Sequence, residues 1–278
     1  MLGVGLRLPP LTPMSTLSRG ITYAFTPAGL PPGVDFARSG AGSRVTAAGL
    51  VENVATGLPR FDHDPTTLAY RGMLVEPAAT NVCGVLGTMA VGTNGALTQM
   101  PAEAGPDGAT GSVWRLVMNS GGSSFAELAN GLPSDTYTVS AYVRRYTAGK
   151  EQFQFSQGTT DSAPMYATES WQRFAVTFTS HRFYINNGND SYATDILLWM
   201  PQIELGTTAS SVILAGTQRE AETAGLPAQA DSKDVRVTYD DGSTGQWLAQ
   251  TITAGWWPAP LARPRIRRVE LFPAGSLG

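Results

Sequence analysis

Thr136-Tyr137-Thr138-Val139-Ser140-Ala141-Tyr142-Val143 alternates without a break. Successive side chains of a strand point to opposite faces. Tyr137, Val139, Ala141 and Val143 therefore share one face, and Thr138, Ser140, Tyr142 and Arg144 the other. This is the pattern of a half-buried strand. Working outward, Gln152-Phe153-Gln154-Phe155 alternates again, and the run Gln172 to Phe178 places Phe174, Val176 and Phe178 together. Asp195 to Leu205 is a further apolar strand, with Pro201 expected at a bulge or an edge. Pro133-Ser134-Asp135 and Asn187-Gly188 are turn signals between these runs. No stretch of helix length shows a helical period, and Thr217 to Thr223 is the best short candidate. The spacing predicts an all-β chain built around an antiparallel jelly roll or β-sandwich.

Composition agrees. The 278 residues include 31 Gly and 19 Pro, and only 15% are charged, which favours short strands joined by turns. The net charge of −3 argues against a nucleic-acid partner, which would need a basic field. Arg263, Arg265, Arg267 and Arg268 are a local exception. They read as a solvated edge strand or a subunit contact, or else as a contact to an anion or an acidic polysaccharide. Cys83 is the sole cysteine, so an internal disulfide and a cysteine-based zinc site are both excluded, and Cys83 is expected to be a small buried residue. No segment is long and apolar enough to span a membrane. Met1 to Met14 is apolar but interrupted by Pro9, Pro10 and Pro13. It does not read as a secretion signal, and is expected to be an extended strap on a partner. No phosphate-binding loop, dinucleotide fingerprint or nucleophile elbow is present, so no cofactor is expected. Asp161, Glu169, Asp195 and Glu204 could supply a glycosidase pair, but their spacing selects none of them.

A second informative stretch is Pro59-Arg60-Phe61-Asp62-His63-Asp64-Pro65, followed by Tyr70-Arg71-Gly72-Met73-Leu74-Val75-Glu76-Pro77 and Thr80-Asn81. Asp64-Pro65 favours turn initiation. The residues alone read as a β-hairpin with a surface ion pair, and Asp62-His63-Asp64 as a turn whose carboxylates accept backbone amides, in preference to a metal site. The segment also resembles a recurrent element of tailed-bacteriophage virion proteins and of the head spikes of gene transfer agents. Asp35 to Gly40 and Val45 to Leu50 resemble the approach to that element, so the likeness covers residues 33 to 82. A looser likeness runs from Pro106 to Pro227. It takes in Trp114, Tyr137 to Ser140, Glu169 to Arg173, and Leu198 to Gly206, and is similar to the carbohydrate-binding β-sandwich modules such proteins carry. The resemblance implies a virion surface protein of head-spike or tail-fibre type.

The chain is therefore expected to divide in three. Residues 1–82 form an N-terminal arm and an attachment and oligomerisation region, 83–227 a carbohydrate-binding-like β-sandwich, and 228–278 a small C-terminal β module. Residues 21 to 82 carry too little apolar surface for a core of their own, so self-association into a cyclic oligomer is expected. Sugar rings need an aromatic platform and a few planar polar partners. If their strands are neighbours, Tyr142, Arg144, Gln152, Gln154, Trp171 and Arg173 form one such surface on the polar face of the sandwich. Trp114 and Trp199 are expected in the core. Adjacent residues of a strand alternate, so either Trp256 or Trp257 should lie at a subunit interface or a ligand surface. Three functions fit: a non-catalytic binder of bacterial surface polysaccharide on a virion, a connector that binds only other virion proteins, and a polysaccharide depolymerase.

Overall fold

The computed structural model describes residues 20–122, 124–188, 192–214 and 216–278. The expected arm, Met1 to Met14, lies outside them. The chain is all-β and antiparallel. The alternating run found first is part of the strand Asp135–Arg145, at the heart of a five-stranded sheet. Across that sheet the order is Gln172–Ser180, Asp135–Arg145, Thr194–Leu205, Trp114–Met118, Gly95–Gln99. A second sheet runs Phe125–Ala129, Phe183–Asn186, Gln152–Ser156, Met165–Tyr166. Their facing side chains form the sandwich core. Tyr137, Val139, Ala141 and Val143 meet Phe153, Phe155, Phe183 and Ile185 there. Pro201 sits at a bulge, because Ser140 opposes Gln202 while Tyr142 opposes Trp199. Cys83 is partly buried against this core, and burial pushes its thiol up to about 12.

Outside the sandwich lies a second sheet system. Its order is Thr244–Gln250, Lys233–Tyr239, Arg265–Pro273, Tyr70–Leu74, Arg60–His63, with Ile21–Ala24 also on Arg265–Pro273. The strands expected to form a separate C-terminal module thus complete the sheet begun by residues 21 to 82. Tyr23, Phe25, Phe61 and Met73 share one core with Val235, Val237, Val269 and Leu271. The core that residues 21 to 82 lack alone comes from the same chain, which removes the burial argument for self-association.

Three other expectations are corrected here. The arginine-rich strand is central, not an edge: Arg265 pairs with Asp62, Arg263 with Asp240, and Arg267 donates to the Tyr70 carbonyl. Trp256 and Trp257 lie outside any strand, so the alternation argument does not apply, and both pack against this second core. The helix candidate at Thr217 to Thr223 is instead two short strands, Gln218–Arg219 and Thr223–Gly225.

Those two short strands close the junction. Ala79–Thr80 pairs with Gln218–Arg219, and Asp35–Ala37 with Thr223–Gly225. The sandwich is thus inserted between paired entry and exit strands. Beneath them is a buried charge cluster. Arg60 donates to Glu222 through Nε at 2.6 Å and to Glu76 at 2.7 Å, while Arg38 donates to Glu222 at 2.7 Å. All four side chains are buried. The expected surface ion pair of the hairpin is therefore an interior one. Burial pushes the Glu76 carboxyl up, but Arg60 and Arg219 outweigh it and hold it at about 2.

Removing one member of a buried pair strands the other's charge. Glu222→Gln is expected to lower unfolding free energy by about 3–5 kcal/mol, whereas a loss below about 1 kcal/mol in urea denaturation would show that the cluster is not holding the junction.

Candidate functional site

The outer face of the four-stranded sheet carries an open groove. Alternation puts Phe183 and Ile185 into the core and turns Tyr184 and Asn186 outward. Likewise Ala126 and Leu128 point in, while Phe125 and Glu127 point out. Cross-strand register then aligns Phe125, Asn186 and Gln154 in one row and Glu127, Tyr184 and Ser156 in the next. The groove holds about 530 Å³ and is lined chiefly by Phe125, Asp161, Arg182, Tyr184, Asn186 and Gly188.

Its geometry is specific. The Phe125 and Tyr184 rings meet edge to face, with centroids 5.3 Å apart. The Arg182 guanidinium carbon lies 6.0 Å from the Tyr184 ring centre. Partial burial, with help from Glu127, raises the Tyr184 hydroxyl pKa, so the phenol stays neutral. Asn186 donates to Asp161 at 2.9 Å and accepts the Gly188 amide at 3.0 Å. Gly188 has φ +73°, and a Cβ there would collide with the Gln154 amide. The Asn187-Gly188 turn signal therefore marks a close approach as well as a turn. Gln154 is buried and donates to the Ser162 carbonyl. Its Oε1 and the Arg182 Nε have no hydrogen-bond partner among the described residues. Aromatic rings beside amide, carboxylate and guanidinium groups suit a ligand with apolar faces and many hydroxyls.

The six predicted site residues do not form one surface. Gln152 and Gln154 belong to this sheet, with Gln154 packed under the groove wall and the Gln152 Oε1 accepting from the Tyr166 hydroxyl at 3.4 Å. Tyr142, Arg144 and Arg173 lie on the other sheet, with Trp171 just before its edge strand, on the face away from the core. That face is largely covered. Tyr142 is only 5% exposed and packs edge-on against Trp199 at 5.5 Å, in a cluster with Val51 and Val212. Trp199 is buried in this third cluster rather than in the sandwich core, and Trp114 is half-buried. Trp171 donates its indole N–H to the Ala104 carbonyl, and Arg144 lies over its ring while pairing with Glu103. Arg173 donates to the Ser140 hydroxyl and the Ser210 carbonyl. Tyr142, Trp171 and Arg173 line a separate cleft of about 430 Å³ with His63, Arg71 and Arg265. Asp62 and Asp64 are occupied by Arg265 and by the Thr66 and Thr67 amides, and no metal-holding group occurs among the described residues. Sequence reasoning missed Phe125, Arg182, Tyr184 and Asn186, and named Asp161 only as a possible glycosidase carboxylate. The signal for Tyr184 and Asn186 was the four-residue alternation Phe183-Tyr184-Ile185-Asn186 immediately before Asn187-Gly188.

No family model matches the chain, and no curated protein does. Among solved structures, it is similar to the CBM22-1–GH10 modules of the Clostridium thermocellum endo-1,4-β-D-xylanase 10B, crystallised with xylohexaose. The two are 17% identical, with a TM-score of 0.34, over 52% of this chain and 30% of that one. The chain thus spans under a third of that protein. The sandwich assignment stands on its own strand pairing.

The two tyrosines separate structure from surface. Tyr142→Ala is expected to destabilise by about 3–5 kcal/mol, the range for emptying a packed aromatic site. Half-exposed Tyr184→Ala should change stability far less. Thermal melting of both variants decides; an unchanged midpoint for Tyr142→Ala would contradict its burial against Trp199.

Proposed function

We propose that this chain is a non-catalytic surface component of a phage-type particle whose inserted sandwich binds bacterial surface polysaccharide. The observation that carries the binding reading is the groove around Phe125 and Tyr184. It offers two aromatic rings, a guanidinium and an amide–carboxylate pair within one open trough. An open trough admits an internal stretch of a polymer. Asp161 is the one carboxylate among the described residues lining it, whereas glycosidases use two flanking the bond. Binding without cleavage fits that lining better than a depolymerase does.

The virion setting rests on the likeness of residues 33 to 82 to virion elements. Contact with capsid or tail proteins through the N-terminal arm, and a cyclic homo-oligomer, belong to the same reading. The connector alternative would leave the groove without a sugar ligand.

Binding of the full chain to an array of bacterial polysaccharides tests the sugar reading. Tyr184→Ala should weaken the strongest interaction by about 1–3 kcal/mol, the range for a well-used aromatic contact. Equal binding by Tyr184→Ala, with melting unchanged, would move the connector reading ahead. Immunogold imaging of particles tests the setting: labelling is expected on the particle surface, and purified particles without label would refute it.

A further inference from the structure

A cleft of about 430 Å³ lies between the five-stranded sheet of the sandwich and the hairpin of residues 60–74. Its wall brings together hydrogen-bond donors that the fold leaves unused. Tyr142 is 5% exposed, yet its hydroxyl has no hydrogen-bond partner among the described residues and is not sealed off by them. A buried phenol normally finds a partner. Arg265 donates its Nε to Asp62 at 2.6 Å, while its two terminal nitrogens donate to no described residue and stay accessible. That side chain is 23% exposed. Arg173 meets only neutral acceptors, the Ser140 hydroxyl and the Ser210 carbonyl. The charges of Arg173 and Arg265 both act on the Tyr142 hydroxyl. Arg71 is held by Asp240. Asp64 is the one carboxylate among the described residues of the wall, and it accepts the Thr66 and Thr67 amides.

Such a wall selects its ligand. A phenol O–H and free guanidinium N–H groups need an acceptor, and a cation without a carboxylate favours a negative one. A carboxylate meets both needs, because its two coplanar oxygens fit a guanidinium fork. The volume is that of a small-molecule site and exceeds what a single ion requires. Trp171 adds apolar surface to the same wall, which suits a ring that carries the carboxylate.

We propose that this cleft binds the carboxylate of an acidic sugar unit, with Tyr142 and Arg265 donating to it and Arg173 supplying uncompensated positive charge. The choice of a sugar as the carrier rests on the polysaccharide reading, whereas the choice of a carboxylate rests on the cleft alone.

Isothermal titration of the full chain with glucuronate, galacturonate and N-acetylneuraminate tests this, with glucose as the uncharged control and acetate as the control without a ring. At least one sugar acid should bind about tenfold more tightly than either control. Tyr142→Phe removes only the unpartnered hydroxyl. Its melting should be unchanged, while affinity for that acid falls about tenfold, the loss of one charge-assisted hydrogen bond. Arg265→Lys keeps a charge beside Asp62 but loses the fork, and should weaken binding likewise. Tyr184→Ala should leave it intact, so failure of the groove and failure of the cleft are told apart. Binding of none of the three acids, equal binding of glucose or acetate, full affinity in Tyr142→Phe, or loss of the acid in Tyr184→Ala would each overturn the proposal.

Discussion

The molecule depends on a set of ion pairs placed where water does not reach. Arg60 reaches from a hairpin near the start of the described chain to Glu222, on the segment that leaves the sandwich, and to Glu76, just before the segment that enters it. Ser211 adds a backbone amide to Glu76 and a hydroxyl shared between Glu76 and Arg60. Desolvating such charges is expensive, and their attraction compensates only when the geometry satisfies the remaining donors and acceptors. Satisfying them requires the 38–60 layer, the junction and the 211–222 segment to be in place together. The cluster therefore works as a register device: it specifies where the sandwich sits on the rest of the chain more than it adds net stability.

The polar residues of the 59–81 element are placed by this arrangement. Arg60 and Glu76 form the interior pair. Asp62 accepts the Val45 amide and the Arg265 guanidinium. Asp64 caps its own turn. Gly72 is required because a Cβ there would fall 2.5 Å from the Ile266 carbonyl oxygen, on the adjoining strand. Asn81 accepts the Ile203 amide and donates to the Pro201 carbonyl, tying the entry segment to the sandwich bulge. Each of these residues has a structural role in holding the fold together.

The sandwich itself was legible because its strands are long and alternate. Asp135–Arg145 and Gln172–Ser180 show their two faces in any window of eight residues. What was not legible is which polar-looking face meets water. Tyr142 reads as outward from its neighbours, and it is outward from the sandwich core, but Val51 and Val212 cover it from distant parts of the chain. Local periodicity reports the side of a sheet, not what lies over it. The same limit hid the groove. Tyr184 and Asn186 sit on a four-residue strand, and Asp161 and Arg182 come from turns that carry no periodic signal. An ion pair on the hairpin was expected, but Glu222 is 162 positions from Arg60, and only the fold makes them partners.

The position of Arg265–Pro273 has a consequence for how the chain is made. This last strand sits between Lys233–Tyr239 and Tyr70–Leu74, and Ile21 lies opposite Leu271. A growing chain presents its strands in order, and domains fold as they emerge. The inserted sandwich has all its own strands by Leu205 and can close while synthesis continues. The strands from Ile21 to Leu74 cannot, because the strand that joins them is made only after the whole sandwich. Until then the sheet they begin lacks its central member, and unpaired edges and apolar faces favour aggregation or capture by a chaperone. The inserted part can thus mature first, while strands made before it wait for one made after it.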